Sequence, residues 1–386
     1  MRRVVTIIPE LFSLEGSQSA LDQALPGLAR FTEVAELTKC APMPLYDMPS
    51  DLSPADAKQI LAKSTPEAAW LGMDPRRVVL QDGPLTVAAL GADPPSGSVH
   101  FHLSLMSLEN GIANLPSVRV PDLHLKPVLD AARKLNTKRL TVVVGEDVDH
   151  GLVWEEGSLE LGVAPASAVA GHSIDAFLPE GDGETMLRRF IDDSVNLLSG
   201  LPINSERQEE GLAPLNLLWP WGAGFREMVP NLALRRGDVC CVESSSMRLQ
   251  GLTRLAGYRH GDRALFGRGV RVNFGYVLGS ISRQDCTVVV LDSYSTLQRS
   301  NTLTLEQREW LMNTLDKELL QPLWELSRRE RLRFSFIAPS YSSLGLGLRF
   351  DSAVLGSNVV PFQEQALEEK NLPIVDVWGF VEDGLL

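Results

Sequence analysis

A doubly wound α/β sheet carrying a smaller inserted α/β domain is the architecture that this sequence of 386 residues predicts. Three observations carry it. The run Val4–Ile8 is apolar, largely β-branched and continuous, as a strand covered on both faces must be. The same texture returns late in the chain, in NLLWPWGAG (216–224), DVCCVES (238–244), CTVVVLDS (286–293) and RFSFIAPS (333–340), with helical periodicity between the runs. From about Gly97 to about residue 212 the pattern changes to alternating strands and separate helices, which reads as an insertion.

The elements follow in order. Gln18–Lys39 places Leu21, Leu25, Leu28, Phe31 and Leu37 at helical spacings around a Pro-Gly interruption. Prolines 42, 44, 49 and 54 mark a loop, with Ser53 able to cap a helix that opens on Pro54. LGMDP (71–75) is a turn feeding the apolar segment DGPLTVAALG (82–91). VHFHLSLMS (99–107) alternates as a half-buried strand does, with Phe101, Leu103 and Leu105 on one face. A helix at 125–136, strands at 139–146 and 151–157 and a helix at 185–200 complete the insert, and 247–257 and 305–331 read as helices of the main sheet.

Composition narrows the function classes. Apolar residues make up 44% and charged residues 22%, values of a folded globular chain. Asp and Glu number 49 against 36 Lys and Arg, a formal charge of −13, and no basic run appears, so a nucleic-acid partner is not expected. No apolar stretch reaches the ~18 residues of a membrane helix, and the opening MRRVVTIIPELF reads as basic residues entering a strand; no membrane association and a cytoplasmic location are expected. The cysteines (Cys40, Cys240, Cys241, Cys286) lack C-x-x-C spacing, and the VCCV pair reads as small buried hydrophobes, so neither a disulfide framework nor a zinc ribbon is expected.

More specific strings stand in order along the chain: LGMDP, DGPLTVAALG, GSVHFHLS, then Asn204, Arg207, Gly211, Pro214, Asn216, Trp221, Gly222 and Gly224, and finally SMRLQGLTRLAG (246–257) and LDKELLQPL (315–323). Together they resemble the archaeal-type cofactor-independent phosphoglycerate mutases of the alkaline-phosphatase superfamily. The resemblance implies an alkaline-phosphatase-like core at 1–96 and 213–386, an inserted domain at 97–212, and a cleft between them where active relatives work. It also implies two divalent metals, such as manganese or zinc, held by Asp and His, beside a Ser nucleophile. Metals neutralise the phosphoryl oxygens and acidify the attacking hydroxyl, so the chemistry depends on those ligands.

This chain departs from that pattern where the chemistry sits. The first strand ends Ile8-Pro9-Glu10 where the family has Asp-Gly. Lys63 occupies the nucleophile's place, flanked by Ser64 and Thr65. The late loops read Asp292-Ser293-Tyr294-Ser295-Thr296 and Pro339-Ser340-Tyr341-Ser342-Ser343, and residues 261–386 contain no histidine at all. Hydroxyls are poor substitutes for imidazole as ligands. The expectation is a catalytically inactive mutase relative, without metal cofactor, acting as a binding or regulatory protein. The alternative is an active metal-dependent mutase or phosphohydrolase with rearranged ligands drawn from Glu10, Asp292 and Asp351.

The retained candidates for a small anionic ligand are Lys63, Ser64, Arg207, Arg226 and His150; a protein partner is left open. His100 and His102 share one strand face, the geometry of a two-His metal pair, but no third ligand follows at readable spacing. Ordinary strand histidines are therefore expected. His102 also stands where the family shows Arg in an Arg-Cys-Asn string.

Overall fold

A computed structural model describes residues 2–8, 30–31, 36–40, 65–75, 77–116, 120–145, 147–268, 271–291, 305–338, 345–352, 374–375 and 377–385. Its strands are Arg2–Ile8 (β1), Glu36–Cys40 (β2), Val99–Glu109 (β3), Ile112–Asn114 (β4), Leu140–Val143 (β5), Asp149–Trp154 (β6), His172–Ser173 (β7), Leu217–Gly224 (β8), Cys241–Glu243 (β9), Arg259–His260 (β10), Cys286–Val290 (β11), Arg331–Ala338 (β12), Gly345–Asp351 (β13) and Ile374–Val375 (β14). The helices that matter here are Asp82–Ala89 (α1), Asp122–Ala132 (α2), Glu184–Ser199 (α3), Pro202–Glu209 (α4), Met247–Leu255 (α5) and Phe274–Arg283 (α6). The chain divides into two compact units, one of Met1–Leu45, Ser64–Val78 and Val229–Leu386, the other containing Val79–Met228.

The first unit is built on an eight-stranded sheet in the order β10-β9-β11-β1-β12-β13-β2-β14. The expected strands at 4–8, 286–292 and 333–338 lie side by side in it, because β1 pairs in parallel with both β11 and β12. Val5, Ile7, Val289, Phe334 and Phe336 face one layer of core together with Phe274, Val277 and Ile281 of α6. Phe31 packs its ring 4.4 Å from that of Phe334 and 5.2 Å from that of Phe350. Burying each such ring contributes ~1.5–3 kcal/mol, which is why the continuous apolar runs specify this sheet.

Two readings need correction here. Leu37 does not continue a helix: Glu36–Cys40 is a strand antiparallel to β13 and parallel to β14, since pairing on both sides outweighs a weak helical spacing. Cys240 is not merely a small hydrophobe either. It forms a disulfide with Cys286, their Cα atoms 4.6 Å apart across adjacent strands, while Cys241 stays a buried free thiol. The expected caps and helices around Ser53 and Pro54 lie outside the described residues.

The second unit holds an antiparallel sheet, β5-β6-β3-β4-β7, with β8 also paired to β3. It is larger than the expected insert of 97–212. NLLWPWGAG reads as a parallel-type strand of the main sheet, yet β8 runs antiparallel to β3, with Trp221 opposite His102. Helix α1 lies directly on β3: a Cβ at Gly83 would overlap the His100 carbonyl, so only glycine permits this approach. For the same reason β3 is not half-buried. Val99, Phe101, Leu103 and Leu105 join Leu152 and Trp154 in one core, and His100, His102 and Ser104 on the other face are buried as well. No helix among the described residues is long and apolar enough to cross a membrane.

Candidate functional site

In an open α/β sheet, ligands meet the carboxyl ends of the parallel strands. Register places these ends together: Ile8 is level with Val290, Ile7 with Phe336, and Glu243 with Val289. The loops that continue from β1, β11 and β12 carry Glu10, Asp292 and the two serine-rich strings, and these lie outside the described residues, as do Lys63 and Ser64. Asp351 is elsewhere. It pairs with Arg333, at the opposite end of β12, with Nε to Oδ2 at 3.5 Å. The six residues from Arg333 to Ala338 span about 16 Å of strand, so Asp351 stands that far from the carboxyl end of β12.

The described part of this edge is a buried polar cluster grown from the sequence ESSS (243–246). Ser246 caps α5 by accepting the Leu249 N–H at 3.2 Å, and the Ser244 hydroxyl accepts the Ser246 N–H at 3.0 Å. Arg263 donates from Nε to the Ser245 carbonyl at 3.0 Å. From the second residue of α5, Arg248 reaches Glu67 in the turn Pro66–Leu71, with Nε to Oε1 at 2.6 Å. Both side chains are 8% exposed, so this is a desolvated ion pair. It anchors the segment that begins at buried Thr65, directly after Lys63 and Ser64.

Glu243 is the residue that sequence reading missed. Its Oε1 accepts the Ser280 hydroxyl at 2.5 Å and the Cys241 thiol at 3.5 Å. Burial pushes its carboxyl above the usual range, against the pull of hydrogen bonds from Ser280, Cys241 and Tyr276. Burial, with Glu243 beside it, pushes the Cys241 thiol up to about 12. The signal in the sequence was an acid closing an apolar run immediately before three serines. Burial here disfavours the charged form that a metal ligand needs. Among the described residues no three His, Cys, Asp or Glu side chains are grouped to hold an ion.

A prediction follows from Glu243. Its folded pKa lies above the unfolded value of 4.5. The stability that the neutral acid contributes is therefore complete below that value and is lost as pH rises through the folded pKa. Glu243→Gln keeps an acceptor for Ser280 and removes the titration. Urea unfolding should show the variant gaining on the parent chain from acid toward neutral pH; parallel profiles would refute the assignment.

In the second unit the sequence candidates go to separate places. Arg207 of α4 donates to the Ala213 carbonyl at 2.9 Å and to Nδ1 of His124 at 2.9 Å. Asn204 bonds the Leu198 and Leu215 carbonyls and accepts the Leu215 N–H at 2.7 Å, so the two residues clamp α4 to the strand that follows. Arg226 is exposed and pairs with Asp93 at 2.6 Å. His150 is buried, accepts the Gly145 N–H on Nδ1 at 3.0 Å, and is pulled down to about 4, mainly by loss of water. No two of these three share a partner.

His100 and His102 share a face, as expected, but not a ligand. His100 faces Ser98 at 3.1 Å, whereas His102 bonds the Thr86 hydroxyl at 2.7 Å through Nδ1 and sits 3.4 Å from Asp149 through Nε2. The His102 contact thus ties β3 to Thr86 of α1.

Comparisons place the chain among known proteins. It is 27% identical over 192 residues to a probable 2,3-bisphosphoglycerate-independent phosphoglycerate mutase of Geobacter sulfurreducens, covering 48% of each chain. It is 24% identical over 229 residues to phosphoglycerate mutase 2 of that type from Methanothermobacter thermautotrophicus, covering 58% of this chain and 57% of the relative. The matches span about half the length of these curated relatives. A solved cofactor-independent phosphoglycerate mutase from Thermoplasma acidophilum superposes with a TM-score of 0.59 at 16% identity, covering 99% of this chain and 98% of that one. No family model matches. The homologues are thus archaeal and bacterial cofactor-independent phosphoglycerate mutases, and the fold is theirs, of the alkaline-phosphatase-like type.

Proposed function

We propose that this phosphoglycerate-mutase-like chain has given up two-metal phosphoryl transfer and serves as a binding or regulatory protein for a small phosphorylated or carboxylated anion. One observation carries the reading: residues 261–386 lack histidine, in the stretch where the family resemblance puts its metal-binding imidazoles. The histidines that remain do not compensate. His100, His102 and His150 are buried in the second unit, His124 is bonded by Arg207, His172 meets the Ala170 carbonyl, and His260 bonds the carbonyl of its neighbour Gly261. Lys63 and Ser64, at the nucleophile's place, are the groups proposed to receive the anion, whereas Arg226 is already engaged by Asp93.

Elemental analysis, combined with a mutase assay in added manganese, cobalt or zinc, tests the loss of chemistry. The expected result is sub-stoichiometric metal and no turnover; two tightly held ions with turnover would establish the active alternative. Calorimetry with 3-phosphoglycerate and a panel of sugar phosphates tests binding. Heat that disappears in Lys63→Ala supports the reading, and no heat with any anion removes it.

A further inference from the structure

The second unit bears a groove of about 870 Å³ that none of the preceding argument uses. One wall is the segment Lys134–Leu140, which links the end of α2 to β5, and the other is the outer edge of α3. Along α3 the lining residues are Met186, Arg189, Phe190, Asp193, Asn196 and Leu197, at steps of three and four, so they form one stripe down the helix. From Met186 to Leu197 the stripe runs about 16 Å, three helical turns. Met186, Leu197 and Leu135 keep part of their apolar surface in solvent, over a floor of buried Phe190 and Leu140.

The charge of this groove opposes that of the molecule. Lys134, Lys138, Arg139 and Arg189 line it against the single acid Asp193, in a chain whose formal charge is −13. Neither Lys134 nor Lys138 has an ion-pair partner among the described residues. Arg189 meets Asp193 only across 3.5 Å at an exposed site, an interaction worth little. Arg139 is held by Glu156, Nη2 donating to its carbonyl at 2.8 Å and lying 3.8 Å from its carboxylate, so the unpaired charge of the rim comes from Lys134 and Lys138.

The groove also borders the free edge of β5, where an extended peptide could add as a strand. That mode is closed. The outward Leu140 N–H goes to Thr137 Oγ1 at 3.0 Å, the Leu140 carbonyl accepts the Thr137 N–H at 2.8 Å, and the Val142 N–H goes to Asn136 Oδ1 at 2.8 Å. The chain caps its own edge, so recognition must run through side chains. A groove with an apolar stripe three turns long and a cationic rim then suits an amphipathic helix presenting leucines to the stripe and carboxylates to the rim.

We propose that this groove, between the Lys134–Leu140 segment and α3, docks an acidic amphipathic helix of a partner protein. The test uses the full chain and a fluorescein-labelled synthetic helix of about four turns, with Leu on one face and Glu on the other, read by anisotropy. The expected result is saturable binding that weakens at least about tenfold in the double variant Lys138→Glu/Arg189→Glu, and again in Met186→Asp, and that falls as salt rises. All three substitutions are at solvent-exposed or half-exposed positions, and unchanged thermal melting checks that each variant is folded. Equal binding of a scrambled peptide, or no effect of the substitutions, would overturn the proposal. So would displacement of the helix by millimolar inorganic phosphate, which would make this a small-anion site. Concentration-dependent self-association lost in the same variants would assign the groove to a second copy of the chain and overturn it too.

Discussion

Arg248→Ala should destabilise the first unit by about 3–5 kcal/mol, because it leaves Glu67 as a buried carboxylate with its cation removed. The geometry makes the cost large. Nε and Nη2 of Arg248 both address the Glu67 carboxylate, at 2.6 and 3.4 Å, and both side chains are 8% exposed. A surface pair would lose less than about 1 kcal/mol. The double variant Glu67→Gln/Arg248→Met removes both charges while keeping the volume, and should recover more than half of the loss. Urea unfolding of the three proteins decides it: a loss under about 1 kcal/mol in Arg248→Ala would mean that water reaches the pair after all.

Acid should unfold the second unit well before its carboxylates alone require it. His100 and His150 are each held down to about 4 from 6.5, in both cases chiefly by burial. The unfolded chain takes up these protons near 6.5, whereas the folded one refuses them until about 4. Stability is therefore complete above 6.5 and falls as pH drops through the window between the two values. Around His150 the neighbouring charges partly cancel, Asp149 raising its pKa and His102 lowering it. At 1.36 kcal/mol per unit, His150 alone accounts for about 3 kcal/mol across the window. His150→Asn keeps an acceptor for the Gly145 N–H and cannot titrate. Its unfolding midpoint should vary less with pH between about 6.5 and 4.5 than that of the parent chain, and an identical pH slope would sink the assignment.

The main sheet was legible because its strands are long β-branched or aromatic runs that have no other stable place; Val4–Ile8, CTVVV and RFSFIA went where their texture indicated. What escaped the sequence depends on register between distant segments. Nothing local to VCCV indicates that Cys240 will lie beside Cys286, since this follows only from the pairing of β9 with β11. Likewise α1 and β8 join the second unit through Gly83 and Trp221, whose contacts on β3 involve residues scattered along the chain. The candidate residues illustrate a further limit. Arg207 and Asn204 were conspicuous as motif members, yet their hydrogen bonds hold α4 in place. Glu243 was inconspicuous because a charged residue at the end of an apolar run reads as the edge of a loop, and only its burial against Ser280 shows otherwise.

The Cys240–Cys286 bond is buried, its two residues 2% and 6% exposed, which hinders a reductant in the closed sheet. Exchange requires a thiolate to approach along the sulfur–sulfur axis. The neighbouring thiol of Cys241 is disfavoured as a nucleophile because burial pushes it up to about 12. In a reducing solution the bond's lifetime is thus a waiting time for β9 and β11 to part, independent of how much reductant is present once it exceeds the rate of reclosing. The bridge acts as a clock built into the sheet, and its loss counts openings of the strands beside which the candidate site stands.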